Sequence, residues 1–439
     1  MPLRASGLRI SSNPRGFNAQ YAAPGHSYGR ASVTIAVVKT FVALFLAASF
    51  LQADIPMTLV SEDEAEPIHS AIIRKEAWTQ DPVRRLRVEA DKRMKDGPWT
   101  VTADRPKGVD IDAHEYYTEA PYYWPNPENP TGPYLRKDGQ GNPARIIANQ
   151  TSLNAMSDAV FALGVASFLL DNPAYGKRAA SVIHNWFLNP KNRMNPDLDY
   201  AQSIPGVNNG RGTGMVEGRS LVRAIQGMEF LEQTSNWDLK DQAAVHKWFE
   251  DYLHWLLTSK NAIDERKSGN SHASWWAAQV AAVGSFLGDS KAAQQAFNFY
   301  HGLLPRQILP NGSAPREEVR PRSLRLSVLN LEAYALVCRI AQVRGTANLW
   351  IIRGRSGTTL SRAIDYLTPY LVDPKKWNKE QANDVPYDSL DFLAFAGMGL
   401  DKPEYIADFR KLEREDSAWI SLVDLLVGRF EAAAHQTRH

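Results

Sequence analysis

The sequence predicts an all-α protein, an incomplete α/α toroid of antiparallel helical hairpins with long loops gathered into a cleft. Three observations point there. Apolar residues recur at helical spacing through most of the chain beyond residue 69. Asn-Pro and Gly-rich breaks cut that pattern into helix-sized pieces. Strand alternation is nearly absent, and no constant repeat length marks a solenoid. An irregular all-α bundle is the competing architecture.

Taken in order, the period predicts one or two helices over 69–95, a loop dense in Pro, Gly, Tyr and Asn over 104–142, and a helix over 153–170 closed by Asp171-Asn-Pro. Its return partner is expected over 174–187, ended by Asn189-Pro190. A second loop-rich segment covers 191–214. Further helices are expected over 215–232, 239–258, 274–287, 292–308, 326–342, 360–371 and 417–434, with a Pro-rich loop over 373–401. Loops as long as the first are uncommon inside a compact domain and usually carry function.

The N-terminus reads differently. Residues 1 to about 28 are rich in Gly, Pro, Ser, Asn and Arg without helical period. Lys39 then precedes an apolar run over 40–51, short for a bilayer span and suited to the core of a signal peptide. Small residues Ala47, Ala48, Ser49 and Ala53 offer cleavage points. The expected organisation is a leader with signal peptide or anchor over 1–53, an acidic Pro-containing linker over 54–68, and one domain over 69–439. Secretion is the expected destination, with an N-terminal membrane anchor as the alternative.

Composition excludes several classes. Fifty basic against 48 acidic residues give a formal net charge of +2, no footprint for nucleic acid. A single cysteine, Cys338, rules out an intrachain disulfide or a Cys-based metal site; its apolar surroundings predict an inert buried thiol. The chain has no HExxH zinc pattern, GxSxG elbow, P-loop or Rossmann glycines. No metal, cofactor or protein partner is expected.

Four stretches carry the candidate chemistry. The aromatic, Pro-rich run over 114–127 contains Tyr122, Tyr123 and Trp124, rigid platforms suited to a sugar face. The glycine-rich segment over 195–214 offers Tyr200, Gln202, Asn208, Asn209 and Arg211; its glycines permit close approach, and a planar guanidinium suits a carboxylate. Lys267-Ser-Gly-Asn-Ser-His272 sets a histidine beside Asn270 at a helix entrance, with Trp275 and Trp276 behind it. Arg316 to Arg325 holds four arginines and two glutamates, among them Arg320 and Arg322. His, Arg, Asn and Tyr together suit stabilisation of an enolate-like anion, whereas a glycosidase needs a carboxylate pair. Glu217, Glu317, Glu318 and Asp264 keep that pair open.

The combination resembles the alginate lyase-like polysaccharide lyases, nearest to polysaccharide lyase family thirty-eight and more distantly family five. The resemblance runs from about Tyr116 to Tyr370. It rests on Ala-Pro-Tyr-Tyr-Trp-Pro at 120–125, Trp-Phe-Leu at 186–188 through Arg-Met-Asn-Pro at 193–196, and Tyr-Ala-Gln at 200–202 through Gly214. It continues with Asn-Ser-His at 270–272, Pro-Asn-Gly-Ser at 310–313 and Asn330-Leu331.

The resemblance implies β-elimination on an acidic polysaccharide such as alginate or glucuronan. His272 falls on the family's catalytic histidine, and Arg320 or Arg322 on its arginine. Asn270 and these arginines would neutralise the substrate carboxylate, with Asn208, Asn209 and Arg211 lining the cleft. Two positions depart from the pattern: Ser271 replaces a second asparagine, and Leu326 replaces the tyrosine that serves as acid and base. Loss of such a group typically costs about 10²–10⁴-fold in rate. Tyr116, Tyr117, Tyr122 or Tyr200 could substitute, or His272 could act as both base and acid. A uronate-binding relative without activity and, further off, an α/α-barrel glycoside hydrolase are the competing expectations.

Overall fold

The computed structural model describes residues 57–102, 110–382, 390–412 and 416–436. The expected leader and the start of the expected linker lie outside these residues. The rest of that linker turns out to be folded. Met57, Leu59 and Val60 are at most 1% exposed, and helix α1 (Glu62–Ile73) begins directly after them. Its acidic first turn complements the helix N-terminus, and Ser61 N donates to Glu64 Oε2 at 2.9 Å in a capping box. Acidity that reads as a linker is therefore a helix start.

The chain continues through α2 (Ala77–Arg93), the short strands β1 (Tyr117–Glu119), β2 (Tyr123–Trp124) and β3 (Leu135–Arg136), and α3 (Ala148–Leu169). Helix α4 (Pro173–Ile183) runs into a π-helical turn, His184–Leu188. After β4 (Tyr200–Ser203), a 3-10 stretch (Gly212–Ser220) leads into α5 (Leu221–Glu232), α6 (Leu239–Thr258), α7 (Lys260–Arg266) and α8 (Ser271–Phe286). Then come α9 (Ser290–Gln307), α10 (Pro315–Glu318), α11 (Ser323–Val343) and α12 (Leu360–Val372). Helices α13 (Asp391–Gly399), α14 (Pro403–Lys411) and α15 (Ala418–Gln436) close the chain. Part of the stretch expected as a Pro-rich loop over 373–401 is thus α13, and α7 and α10 fill gaps in the expected pattern.

Helices α3, α5, α8, α11, α13 and α15 stand side by side in that order, and α2 packs against both α15 and α3 to complete the ring. Most of the intervening helices lie outside them, as hairpin topology requires. This is the α/α toroid that the helical period predicts. Inner helices are apolar on nearly all sides because both faces are covered. Helices α3 and α5 approach so closely that a Cβ on Gly164 would stand 2.0 Å from the Gly227 carbonyl oxygen. Cys338 is buried, as expected.

The two ends of the ring differ. Toward the C-terminal ends of the inner helices, the segment 57–60 crosses from α5 to α11. Thr58 N donates to both oxygens of Glu229 at 2.9 and 2.8 Å, Leu59 N donates to Gln226 Oε1 at 2.7 Å, and Arg339 Nε donates to the Leu59 carbonyl at 2.9 Å. At the N-terminal end of α8 and α11 the long loops gather. Here β1 pairs in parallel with β4, Tyr117 against Tyr200. Strands β2 and β3 form a hairpin, Tyr123 against Arg136, whose loops touch Pro205 and Pro321.

Candidate active site

Fifteen of the sixteen residues of α8 are buried, and the one that is not is His272. Local geometry places it. Gly269 sits at φ +71°, a left-handed conformation that costs glycine little, and turns the chain from α7 into α8. Asn270 then caps α8, its Oδ1 accepting from His272 N at 3.0 Å and from Ser268 Oγ at 2.9 Å. The Asn270 carbonyl is held by Gln307 Nε2 at 2.7 Å.

The imidazole does not stand alone. His272 Nδ1 lies 2.7 Å from Glu265 Oε2, on α7. The two atoms are at ion-pair distance but not in hydrogen-bond geometry, and neither has any other hydrogen-bond partner. A carboxylate facing Nδ1 favours the tautomer with the proton there and Nε2 as the basic nitrogen. It also stabilises the imidazolium that forms when Nε2 takes a proton. On the other side, Ser271 N donates to Glu317 Oε1 at 2.6 Å. Burial pushes the Glu317 carboxyl up, and the Ser271 amide, His272 and Arg320 partly offset this. Ser271 itself is 1% exposed, so its hydroxyl is packed inward.

Arg211 borders the pair. A Cβ on its neighbour Gly212 would stand 3.1 Å from Glu265 Oε1, so this backbone lies against the Glu265 carboxylate. The Arg211 guanidinium sits over the Tyr123 ring at 5.2 Å and donates through Nη2 to Gln202 Oε1 at 3.0 Å. Its Nε is buried without a hydrogen bond, and no carboxylate of the described residues lies within ion-pair distance. Burial lowers its pKa. Gln202 is held in place in turn, at φ +51° with its amide donating to Thr118 Oγ1 at 2.8 Å.

Arg320 is differently placed. Its fork is filled by Asp138, Nη2 to Oδ1 at 2.9 Å and Nε to Oδ2 at 3.1 Å. Arg322 stands at the N-cap of α11 with a buried Nε that has no hydrogen bond. Of the glycine-loop candidates, Asn208 builds the turn: its carbonyl accepts from Ser203 Oγ at 2.9 Å and its Oδ1 from Ile204 N at 3.1 Å. Asn209 is exposed.

A match of the alginate lyase family covers residues 100–377. The chain belongs to the alginate lyase family. An alginate lyase from Bacteroides ovatus has a similar crystal structure, with 28% identity and a TM-score of 0.77 over 84% of this chain and 98% of that one. The alginate lyase A1-III of Sphingomonas species A1 is 12% identical with a TM-score of 0.44, covering 73% of this chain and 89% of that one. No curated protein sequence matches the chain. Family and fold together make the protein a polysaccharide lyase.

In this alginate lyase family member the tyrosines sort by burial. Tyr116 is fully buried and donates to Glu217 Oε2 at 2.9 Å, and Tyr117 is 3% exposed. Tyr122, Tyr123 and Tyr200 keep part of their surface open. Trp124 donates through Nε1 to the Gln140 carbonyl at 3.0 Å, with the Lys137 ammonium over its ring at 5.2 Å. The two indoles behind His272 point inward. Trp276 is core, with Nε1 on the Leu256 carbonyl at 2.8 Å. Trp275 is 5% exposed and donates to the Leu329 carbonyl at 3.0 Å.

The carboxylates kept open for a hydrolase are occupied. Glu217 accepts from Tyr116 and Thr118, Glu318 accepts from Ala314 N at 2.8 Å, and exposed Asp264 pairs with Lys260 at 2.5 Å.

Sequence reasoning passed over Glu265 because it left 260–266 without structure. A signal was present. Ser259 is a good N-cap, its Oγ accepting from Ala262 N at 3.1 Å, and the helix it starts places an acid seven residues before His272.

Proposed function

We propose that the protein cleaves an acidic, uronate-containing polysaccharide of the alginate or glucuronan kind by β-elimination, with His272 as the base. The observation that carries this reading is the pairing of His272 with Glu265 at the one unburied position of α8. Arg211 receives the carboxylate on C5, since among the described residues its fork has no partner anion, while that of Arg320 holds Asp138. Neutralising that carboxylate acidifies the C5 hydrogen, and stabilising the enolate-like intermediate is the largest demand of the reaction. Asn270 has its amide nitrogen left to join Arg211, since its Oδ1 caps α8.

His272 Nε2 takes the C5 proton, and the electron pair of that bond forms the new double bond as the bond from C4 to O4 breaks. The proton then passes to the departing O4 oxygen. With Leu326 in the tyrosine position, the imidazolium held by Glu265 makes this second transfer. One group serving both steps requires the C5 hydrogen and O4 on the same face of the ring. Mannuronate and glucuronate present them so, and guluronate does not. Polymannuronate and glucuronan are therefore the expected substrates.

Ultraviolet absorbance of the unsaturated uronate product, followed on alginate, polymannuronate, polyguluronate and glucuronan, tests the reading. Signal on polymannuronate or glucuronan, abolished in His272→Ala, supports it. Full activity in His272→Ala sinks the assignment of the base. Loss of activity in Tyr122→Phe or Tyr123→Phe comparable to that in His272→Ala would move the acid role to that tyrosine at the start of the β2–β3 hairpin. The run over 40–51 fits export of the protein, which N-terminal sequencing of the extracellular form would test.

A further inference from the structure

Strands β1 and β4 do not run in step. Tyr117 pairs with Tyr200 and Glu119 with Ser203, so an advance of two residues on β1 meets three on β4. The extra residue makes a β-bulge, a device that bends a strand and re-aims a side chain. Gln202 lies in this bulge at φ +51°, a left-handed conformation that a residue with a side chain adopts at a cost.

The bulge is pinned from the buried side. Gln202 N donates to Thr118 Oγ1 at 2.8 Å, and that hydroxyl donates in turn to Glu217 Oε2 at 2.8 Å. Glu217, 4% exposed, is itself fixed by the Tyr116 hydroxyl at 2.9 Å. Gln202 is 7% exposed, so its side chain has little freedom.

That side chain ends on Arg211. The Gln202 amide oxygen accepts from Arg211 Nη2 at 3.0 Å, and the neighbouring Ala201 carbonyl accepts from Arg211 N at 3.1 Å. A guanidinium only donates, so the amide must face it with its oxygen. The Tyr123 ring lies against the guanidinium at 5.2 Å. Arg211 is thus held by its backbone, by one side-chain nitrogen and over one face, and none of these partners is an anion. Arg320 shows the alternative: its guanidinium bonds go to the Asp138 carboxylate, which compensates the charge as well as fixing it.

We propose that Gln202 is a positioning residue for Arg211, aiming its guanidinium at the substrate carboxylate with a neutral acceptor that leaves the positive charge uncompensated. A carboxylate in the same place would be an internal rival of the substrate's own. Given Arg211 as the receiver of the C5 carboxylate, Gln202 thereby selects for an acidic sugar while acting only through the arginine.

Gln202→Glu keeps the length of the side chain and an oxygen facing Arg211, and adds the rival charge. It is expected to lower kcat/KM on polymannuronate by about 30-fold or more, since like charges brought together cost several kcal/mol, with a melting temperature close to that of wild type. Gln202→Asn keeps a neutral amide and suits left-handed backbone, but falls one methylene short of Nη2. A smaller loss of roughly threefold to tenfold is expected, the worth of one hydrogen bond. That order is the signature, because a side chain serving the fold alone would tolerate an acid of equal length, paired with Arg211, better than a shortened amide. Gln202→Glu with kcat/KM like wild type, or Gln202→Asn as the more impaired of the two, overturns the role. Should the acid fail to fold, Gln202→Asn decides: unchanged kcat/KM at unchanged melting temperature overturns the role, and the stated loss supports it. Wild-type kinetics in Arg211→Gln would sink the reading of Arg211 and this role with it, whereas an impaired Arg211→Gln beside an unimpaired Gln202→Glu sinks the role alone. If no polymer yields unsaturated product, the lyase reading falls, and calorimetry with saturated trimannuronate decides Gln202 by the same order of affinities.

Discussion

Asp138 holds Arg320 through two parallel bonds, Oδ1 to Nη2 at 2.9 Å and Oδ2 to Nε at 3.1 Å. The pair ties the loop after β3 to the loop that enters α11. It also fills the Arg320 fork. A uronate carboxylate would have to displace Asp138 to reach the Arg320 fork, whereas Arg211 offers its own without displacement.

Asp138→Asn is expected to cost no more than about 1 kcal/mol of stability, because the pair is only partly buried. Burial raises the Asp138 carboxyl, but Arg320's hydrogen bond and charge outweigh it, and the net shift is downward. A lowered carboxyl stabilises the fold above its unfolded value near 4, and this contribution is lost as pH falls through the folded value. Thermal melts of wild type and variant should therefore converge at acid pH.

Glu265→Gln keeps the shape of the pair and removes the charge. A loss of about 10–100-fold in kcat with little change in KM is expected, as for other groups that orient a working imidazole. A change confined to melting temperature, with kcat intact, would show that Glu265 serves the fold alone.

Arg211→Lys retains a positive charge but loses the planar fork. Loss of a charge-assisted, two-pronged contact of about 1.5–3 kcal/mol corresponds to roughly 10–100-fold in kcat/KM. The same substitution at Arg320 should cost less, because its fork faces Asp138. Steady-state kinetics on polymannuronate would compare the two.

Glu229 links pH to the closed end of the ring. Burial pushes its carboxyl up to about 8, against the donors of Thr58. A raised carboxyl binds its proton more tightly folded than unfolded. Its stabilisation is complete below the unfolded value near 4 and is lost as pH rises through about 8. Glu229→Gln should flatten the fall in melting temperature between neutral and mildly alkaline pH.

Gly164→Ala tests the close packing of α3 on α5. The added methyl would meet the Gly227 carbonyl oxygen at 2.0 Å, so the helices must separate. Overpacking of this kind typically costs about 1–3 kcal/mol, measurable as a lower denaturation midpoint.

The helices were legible because they are local. Helix α6 matches its expected bounds, Leu239–Thr258, since a Ser/Asp-type cap and a 3.6-residue apolar period are both written within one turn of the residues they govern. The same locality misled at Glu62–Ile68, where acidic residues and a proline look alike in a linker and in a first helical turn. The position of His272 at the start of α8 was also readable, from Gly269, Asn270 and the apolar run behind them.

What the sequence determined by itself was the all-α class, the alternation that builds the toroid and the histidine at a helix entrance. The tertiary structure alone decided which charges that histidine and the arginines meet. Glu265 faces His272 because α7 folds back on α8, and Asp138 reaches Arg320 across 182 residues of chain. Among the described residues, the same packing leaves Arg211 without a carboxylate within ion-pair distance. Whether a charge is paired depends on contacts closed at long range, and side-chain types along the chain carry no record of them.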